Sequence, residues 1–177
     1  MRIHNSWHSV DPRVVGYEVN ALIEISNGSR AKYELDKETG LLRLDRVLYS
    51  SVYYPANYGF IPRTVAKDDD PIDVLVLSQI PIQPMCIVRV KIIGVMQMID
   101  QGKPDDKLIS VACHDKSVSH IEEIKDMPPI FDSELKQFFE EYKRLEKKTV
   151  LVEDFSDRNK AIEVLQDALQ RYAELYP

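Results

Sequence analysis

Short apolar runs separated by polar turns fill the first two thirds of the chain, and this pattern is typical of β-strands. It predicts strands over residues 19–25, 31–35, 41–48, 74–77, 86–98 and 108–113. Asn27-Gly28 lies between the first two runs and is a strong signal for a hairpin turn. We therefore expect a β-rich fold in which the first two strands pair with each other.

The last third of the chain changes to helical spacing of its apolar residues. These positions recur three and four residues apart over 135–145, which predicts an amphipathic helix, and again over 161–175 after Asp157, which predicts a last helix. Ser119-His120-Ile121-Glu122 matches a capping box and predicts a short helix that stops before Pro128-Pro129. The predicted fold class is mainly β with α, with two or three helices.

Size and charge narrow the possible functions. A length of 177 residues without repeats or a long linker predicts a single domain over residues 1–177. The formal net charge of -6 provides no basic field that would attract nucleic acid or anionic lipid, so phosphate binding must be local or metal-assisted. No apolar run approaches the roughly 18 residues that a membrane helix needs, and the N-terminus has no apolar segment typical of a secretory signal.

Cysteine usage points to a compartment. Cys86 and Cys113 lie in apolar, strand-like segments without the spacing of a metal site. We expect both to be buried, reduced thiols, which fits a cytoplasmic protein better than a disulfide framework does.

The segment Asp68-Asp69-Asp70-Pro71-Ile72-Asp73 places four carboxylates within six residues. Neighbouring carboxylates raise one another's pKa unless a cation compensates their charge, and Mg²⁺ prefers such oxygen ligands. The segment is therefore a candidate metal site. A solvated turn is the alternative, because Asp and Pro both favour turns for local backbone reasons, and this segment alone leaves both open. A calcium-binding EF-hand fits poorly, since Ile72 and Asp73 stand where that loop needs Asp or Asn and then Gly.

A second acidic cluster follows the longest predicted strand, where Asp100, Asp105 and Asp106 stand beside Lys103 and Lys107. If the two acidic loops faced each other across a cleft, they would form a multi-metal site of the kind used in phosphoryl transfer. The sequence contains no Gly-rich phosphate loop of the Walker or dinucleotide type, so side chains would have to hold the phosphate.

Two further groups of residues each have a structural and a functional interpretation. Lys32 and Glu34 are two apart on one predicted strand and therefore project from the same face. They form a surface ion pair there or, if that face lines the acidic site, they hold a phosphate and a metal ion. The aromatic residues of segment 53–60 belong to the core or supply phenol donors to a bound anion. The spacing alone decides neither case.

The segment Asp68-Asp69-Asp70-Pro71-Ile72-Asp73-Val74 resembles the signature of the soluble family I inorganic pyrophosphatases, which runs Asp, small or polar residue, Asp, Pro, apolar, Asp, apolar. Asp69 stands where that family often has Gly. Tyr54-Pro55-Ala56-Asn57-Tyr58-Gly59-Phe60, the acidic loop over 99–107 and Glu140-Glu141-Tyr142-Lys143 resemble three further segments of the family. Order and spacing agree over roughly residues 19–148.

The resemblance implies a five-stranded, OB-like β-barrel that carries the helices, and metal-dependent hydrolysis of inorganic pyrophosphate to two orthophosphates by a metal-activated water. It implies several Mg²⁺ ions per site and, given the short, bacterial-type length, a cytoplasmic homo-oligomer, with a hexamer expected. It assigns Asp70 as the proton acceptor; Asp68, Asp73, Asp100 and Asp105 as the principal Mg²⁺ ligands, with Glu24 and Glu34 completing the acidic lining; Lys32, Arg46, Tyr58, Lys107, Tyr142 and Lys143 as ligands of phosphate oxygens; and Tyr54 as a support for the site.

Two other functions remain open at this point. A metal-dependent phosphodiesterase or nucleotide hydrolase would use the same acidic cluster, but it would need a pocket for a base or a sugar. An OB-fold nucleic-acid binder would need a basic groove and would bind in a salt-dependent way, which the acidic composition disfavours.

Overall fold

The computed structural model describes residues 5–177. The first four residues lie outside this part, and so does that portion of the N-terminus for which no secretory signal is predicted. The strands are β1 (Glu18–Ile25), β2 (Ala31–Leu35), β3 (Leu42–Val47), β4 (Asn57–Phe60), β5 (Asp73–Leu77), β6 (Ile87–Asp100), β7 (Lys103–Pro104), β8 (Lys107–Ala112) and β9 (Val150–Ser156). The helices are α1 (Ser6–Ser9), α2 (Phe131–Glu141) and α3 (Arg158–Leu175), with single 3₁₀ turns at Ile124–Asp126 and Arg144–Glu146.

Five strands pair in the order β1-β4-β5-β8-β6, and β6 also pairs with β1, so the pairing returns to its first strand. The β5–β8 pair is parallel, whereas the other pairs of this circuit are antiparallel. β7 and β9 extend the same sheet from β6, and β2 and β3 form a separate two-stranded ladder. The arrangement confirms the predicted sheet-rich, OB-like fold carrying helices.

The predicted hairpin between the first two strands is wrong. A turn does occur at Gly28, whose φ of +82° is a conformation that glycine adopts at little cost. β2 nevertheless pairs with β3 and not with β1. β4 pairs with Leu22–Ile25, the half of β1 next to the turn, and β6 pairs with Glu18–Leu22, so other strands take the places that the hairpin would have given to β2.

The helices cover opposite sides of the sheet. Phe138 and Phe139 of α2 pack in one buried cluster, while Leu165 of α3 packs in a second cluster on the other side of β6. β4 and β1 approach so closely that a Cβ added at Gly59 would lie 1.8 Å from the backbone oxygen of Leu22. The close approach brings β4, which carries part of the predicted site, against the buried strand β1.

Both predicted long helices are confirmed, but the short helix before the prolines is wrong. Residues 119–120 form a turn and 121–122 are irregular, and the capping box forms instead between Glu123 and Asp126, where it opens a single 3₁₀ turn. Met127 precedes Pro128 and has extended backbone angles (φ -75°, ψ 155°), because the proline ring disfavours a helical residue before it. The helix therefore has no room to continue.

The N-terminal turn packs against the last helix. Trp7 of α1 is buried, and its ring lies 5.7 Å from the ring of Tyr176. His8 Nδ1 and the hydroxyl of Tyr172 are hydrogen-bonded at 2.7 Å. The two ends of the described chain therefore lie side by side.

Both cysteines are free thiols, but the expectation that both are buried is wrong. Cys86 is exposed and Cys113 is half-buried. Cys86 directly precedes β6, whose first residue, Ile87, is itself 52% exposed, because this end of the strand extends past the covered face. Within residues 5–177 the structure contains no helix with the length and apolar character needed to cross a membrane.

Candidate active site

One cavity of about 260 Å³ gathers the predicted site residues. Seven carboxylates and four lysines line it, from β1, β2, the acidic loops and the segment after α2. Of the predicted residues, only Arg46 and Tyr54 do not line it. The predicted residues in its wall are Glu24, Lys32, Glu34, Tyr58, Asp68, Asp70, Asp73, Asp100, Asp105, Lys107, Tyr142 and Lys143.

The first acidic loop is a tight turn whose carboxylates face the cavity. Ala66 N donates to the backbone oxygen of Asp70 at 2.7 Å, and Asp70 N donates to Asp68 Oδ1 at 3.2 Å. Asp69 at the apex has a φ of +69°, in the left-handed region that favours glycine, which accounts for the glycine often found at this family position. The segment is a turn, and that turn presents Asp68 and Asp70 to the cavity, so the two interpretations of the segment are compatible.

The two acidic loops face each other, the arrangement that the sequence left open. β5 and β8 are parallel neighbours in which Asp73 lies opposite Lys107. Lys107 Nζ lies 2.6 Å from Asp73 Oδ2 and 2.6 Å from Asp105 Oδ1, so one buried ammonium bridges a carboxylate from each loop. Asp106, from the same predicted cluster, lines a separate cavity of about 330 Å³ under α3.

Each of the four lysines in the cavity wall is paired with a carboxylate. Lys32 pairs with Glu34, the ion pair that was one of the two interpretations of their spacing, and also with Asp45 at 3.1 Å. The ammonium of Lys143 pairs with Asp100 at the end of β6. Cations and carboxylates therefore lie next to each other in the wall, an arrangement that suits a ligand carrying both phosphate and metal ions.

Comparison with known proteins decides the family. A sequence model described as inorganic pyrophosphatase matches residues 21–173, which is most of the chain. The chain belongs to the inorganic pyrophosphatase family. It is 51% identical over 172 residues to soluble inorganic pyrophosphatase PPA1 of Solanum tuberosum, an alignment that covers 95% of this chain and 80% of the relative.

Solved structures of bacterial relatives agree with that assignment. The inorganic pyrophosphatase of Thermus thermophilus superposes with a TM-score of 0.91 at 38% identity, covering 95% of this chain and 99% of the other. The enzyme from Helicobacter pylori gives a TM-score of 0.90 at 40% identity, covering 94% and 99%. As a member of this family the enzyme hydrolyses inorganic pyrophosphate, and metal dependence is general in the family.

Glu24 shows how strongly the cavity wall perturbs a carboxyl group of this pyrophosphatase. Its side chain is 8% exposed, and its Oε1 accepts a hydrogen bond from Leu35 N at 2.7 Å. Burial raises the pKa of Glu24 to about 8; the Leu35 N–H opposes the rise and the charge of Asp73 adds to it. Without a bound metal ion, the Glu24 carboxyl group is therefore protonated at neutral pH.

At Lys107 of this pyrophosphatase, neighbouring charges have a larger effect on the pKa than burial does. Burial by itself would lower the pKa of its ammonium group, but Asp73 and Asp105 outweigh burial and raise the pKa well above its usual value. Burial raises the pKa of the Asp105 carboxyl group, and the positive charge of Lys107 partly offsets that rise. The enzyme therefore keeps a fixed positive charge between its two acidic loops.

Three tyrosines behind and within the wall remain protonated donors. Burial raises the pKa values of Tyr58 and Tyr142, which line the cavity, and of Tyr54, which does not. The Tyr54 ring is buried 5.4 Å from the Tyr58 ring and 4.8 Å from that of Phe138. Tyr54 is thus placed to support Tyr58 from the core side.

Arg46 lies beside the cavity wall. It is the ladder partner of Lys32 across β2 and β3. Its Nε donates to Glu146 Oε2 at 2.9 Å and its Nη1 pairs with Asp45. Its Nη2 is buried and finds no hydrogen-bond partner among residues 5–177.

The donor set fits a hard divalent cation, because the described residues of the cavity wall offer carboxylate oxygens and include no cysteine or histidine. Over the described residues, no group of three or more His, Cys, Asp or Glu side chains is arranged to hold one ion. An ion at this site would therefore take its remaining ligands from water and phosphate, as Mg²⁺ does in proteins.

Six residues of the wall were not predicted, and two of them, Lys37 and Trp7, lie outside every predicted motif and strand. Lys37 follows β2 in an exposed turn, and Trp7 belongs to the N-terminal turn. Neither stands in an acidic motif or in a strand that the pattern predicts, so only the folded chain brings them to the cavity.

Proposed function

We propose that the enzyme hydrolyses pyrophosphate in this cavity with several Mg²⁺ ions, and that Asp70 accepts the proton of the attacking water. The observation that carries the proposal is the convergence of two acidic loops, distant in sequence, on one small cavity with lysines between them. Pyrophosphate is a multiply charged anion that seven carboxylates would repel unless cations lay between the two.

The assignment divides the wall by charge. The principal metal ligands are Asp68, Asp73, Asp100 and Asp105, with Glu24 and Glu34 completing the acidic lining. Their support is the shared cavity and the oxygen chemistry that Mg²⁺ prefers. Bound Mg²⁺ would lower the pKa of a water molecule and neutralise charge on the leaving phosphate.

Cations and phenols of the chain hold the phosphate oxygens. Charged donors fixed where negative charge develops are the main protein contribution to phosphoryl transfer. The bridging position of Lys107 and the free Nη2 of Arg46 support these roles. The phosphate ligands are Lys32, Arg46, Tyr58, Lys107, Tyr142 and Lys143, and Tyr54 supports Tyr58.

The cavity favours pyrophosphate over the two other functions. Its volume of about 260 Å³ is below the roughly 300–1,000 Å³ of pockets that enclose drug-sized ligands, so it has little room for a base and a sugar. Its carboxylates outnumber its lysines, whereas a nucleic-acid groove would be basic.

The proposal extends to the whole chain. We infer a single domain over residues 1–177 that forms a cytoplasmic homo-oligomer, with a hexamer expected from the resemblance. The exposed side chains of Val47, Tyr49 and Tyr53 support self-association, because assembly buries such apolar surface. The two free thiols support a reducing compartment. Light scattering after gel filtration measures the oligomeric state.

The first test is the release of orthophosphate from pyrophosphate with Mg²⁺, with excess EDTA, and with ATP replacing pyrophosphate. We expect fast release that needs Mg²⁺ and is far slower with ATP. Equal rates with EDTA, or equal rates with ATP, would contradict the proposed cofactor or substrate.

The second test concerns the proton acceptor. Asp70→Asn keeps the shape of the side chain but removes the base, so turnover should fall at least about 100-fold while the fold and Mg²⁺ binding persist. Asp69→Asn is the matched control, since Asn also tolerates the positive φ of Asp69, which does not line the cavity. Near-normal turnover by a folded Asp70→Asn variant would show that another group accepts the proton.

A further inference from the structure

Lys37 reaches the cavity from the turn after β2, outside every segment that resembles the family signature. Its ammonium pairs with Asp70, the proposed proton acceptor. Its Nζ also lies 5.0 Å from the centre of the Trp7 ring, within the distance of a cation–π contact. Lys37, Trp7 and Asp70 all line the same cavity.

The turn that carries Lys37 and the ring beneath it are both held from outside the cavity. Asn5 Nδ2 donates to the backbone oxygen of Lys37 at 2.9 Å. Trp7 is 4% exposed, and its Nε1 donates to the backbone oxygen of Thr64 at 2.9 Å. The lysine therefore starts from a fixed backbone position and lies on a fixed ring.

The same residue that anchors the Trp7 ring also anchors the acidic loop. Thr64 Oγ1 accepts a hydrogen bond from Ile72 N at 3.0 Å, at the end of the loop that carries Asp70. Thr64 is fully buried, so one fixed residue holds both the Trp7 ring, on which Lys37 lies, and the loop that carries Asp70.

Asp70 needs such a partner. Its side chain is 57% exposed, and without an ion pair an exposed carboxylate exchanges among several rotamers. A lysine held on an aromatic ring has given up most of its own rotamer freedom before it makes the pair. We propose that Lys37, on its Trp7 platform, is a positioning residue that directs the Asp70 carboxylate into the cavity.

This inference rests on the proposed role of Asp70, and Lys37 acts through that residue without contact to the reacting atoms. An exposed ion pair is worth up to about 1 kcal/mol, which corresponds to about fivefold in rate. We therefore expect Lys37→Gln to lower kcat about fivefold and to change KM less than about twofold. Lys37→Arg keeps the charge and the contact with the ring, so it should recover most of kcat.

Lys67→Gln is the matched control. It removes the same charge from the loop of Asp70, but Lys67 is exposed and lines the separate cavity under α3. We expect its kcat and KM to match those of the parent enzyme. A fall in kcat equal to that of Lys37→Gln would mean that charge near the loop matters and that the Lys37 contact does not, which would overturn the proposal.

A double-mutant cycle separates this inference from the proposed function. If Lys37 acts through Asp70, the kcat of Lys37→Gln combined with Asp70→Asn equals that of Asp70→Asn alone. If the two losses multiply instead, Lys37 acts independently and the inference is wrong. Near-normal turnover of Asp70→Asn by itself would refute the proposed proton acceptor, whatever Lys37 does.

The contact itself has a spectroscopic signature that does not depend on turnover. Trp7 is the single tryptophan of the chain, so its fluorescence reports the ammonium above its ring. Lys37→Gln should shift the emission, whereas Lys67→Gln should leave it unchanged. An unchanged emission in Lys37→Gln, or a loss confined to KM, would overturn the positioning role.

Discussion

Replacing Glu24 with Gln tests the effect of burial on one carboxyl group of the cavity. The pKa of Glu24 rises from 4.5 to about 8 in the folded enzyme because the group is buried. Between these values the folded state keeps a proton that the unfolded chain has lost. The stability contributed by the proton is complete below pH 4.5, declines as the pH rises, and is lost above about pH 8.

The size of the effect follows from that interval. Each unit between the two pKa values corresponds to about 1.4 kcal/mol, which sets an upper limit of about 5 kcal/mol. The glutamine variant has no proton to lose, and its amide oxygen keeps the acceptor for Leu35 N. All other titrating groups contribute similarly to both proteins, so their difference isolates Glu24.

The assay is urea denaturation at fixed protein concentration in EDTA, from about pH 5 to about pH 9. We expect the free energy of unfolding of Glu24→Gln, minus that of the parent enzyme, to rise by about 3–5 kcal/mol across this range. Saturating Mg²⁺ should reduce the difference at high pH, because a bound cation favours the ionised carboxylate. A difference that stays constant within about 1 kcal/mol in EDTA would refute the argument from burial.

Three further substitutions test contacts that position the site, each by urea denaturation against the parent enzyme. Gly59→Ala should cost about 3 kcal/mol or more, since its Cβ would lie 1.8 Å from the Leu22 oxygen. Asn57→Ala should cost about 3 kcal/mol, because this fully buried side chain makes four hydrogen bonds to backbone groups. Lys107→Met should cost about 3–5 kcal/mol in EDTA, and less with Mg²⁺, because the bridged carboxylates lose their buried partner. A cost below about 1 kcal/mol in any of these would contradict the contact concerned.

The period of apolar residues predicted the strands whose side chains alternate or are wholly buried. Residues 31–35 form β2 as predicted, and the predicted strand over 74–77 starts one residue earlier, at Asp73. β4, β7 and β9 were missed: β4 is short and contains glycine, β7 has two residues, and β9 (Val150–Ser156) has only two buried side chains. β4 and β9 become strands because partners distant in sequence, β1 and β6, hydrogen-bond to them.

The acidic residues of the site could be predicted because they occur in compact motifs. Their meeting could not be derived from spacing, since Asp73 and Lys107 become neighbours only through the parallel pairing of β5 and β8. Lys37 and Trp7 were invisible for the same reason, because their contacts join a turn, the N-terminus and the acidic loop. Local pattern predicts what a segment forms, whereas tertiary pairing decides what it touches.

The packing of Trp7 and His8 against Tyr172 and Tyr176 has a practical consequence for protein engineering. Since the ring of Trp7 is part of the cavity wall and packs against Tyr176, a segment fused after Pro177 leaves the described fold near the active site. We therefore expect an affinity tag at that end to affect catalysis. The same proximity lets a short linker join the two ends of the described chain, so a circularly permuted chain could open elsewhere, in an exposed turn outside the cavity wall.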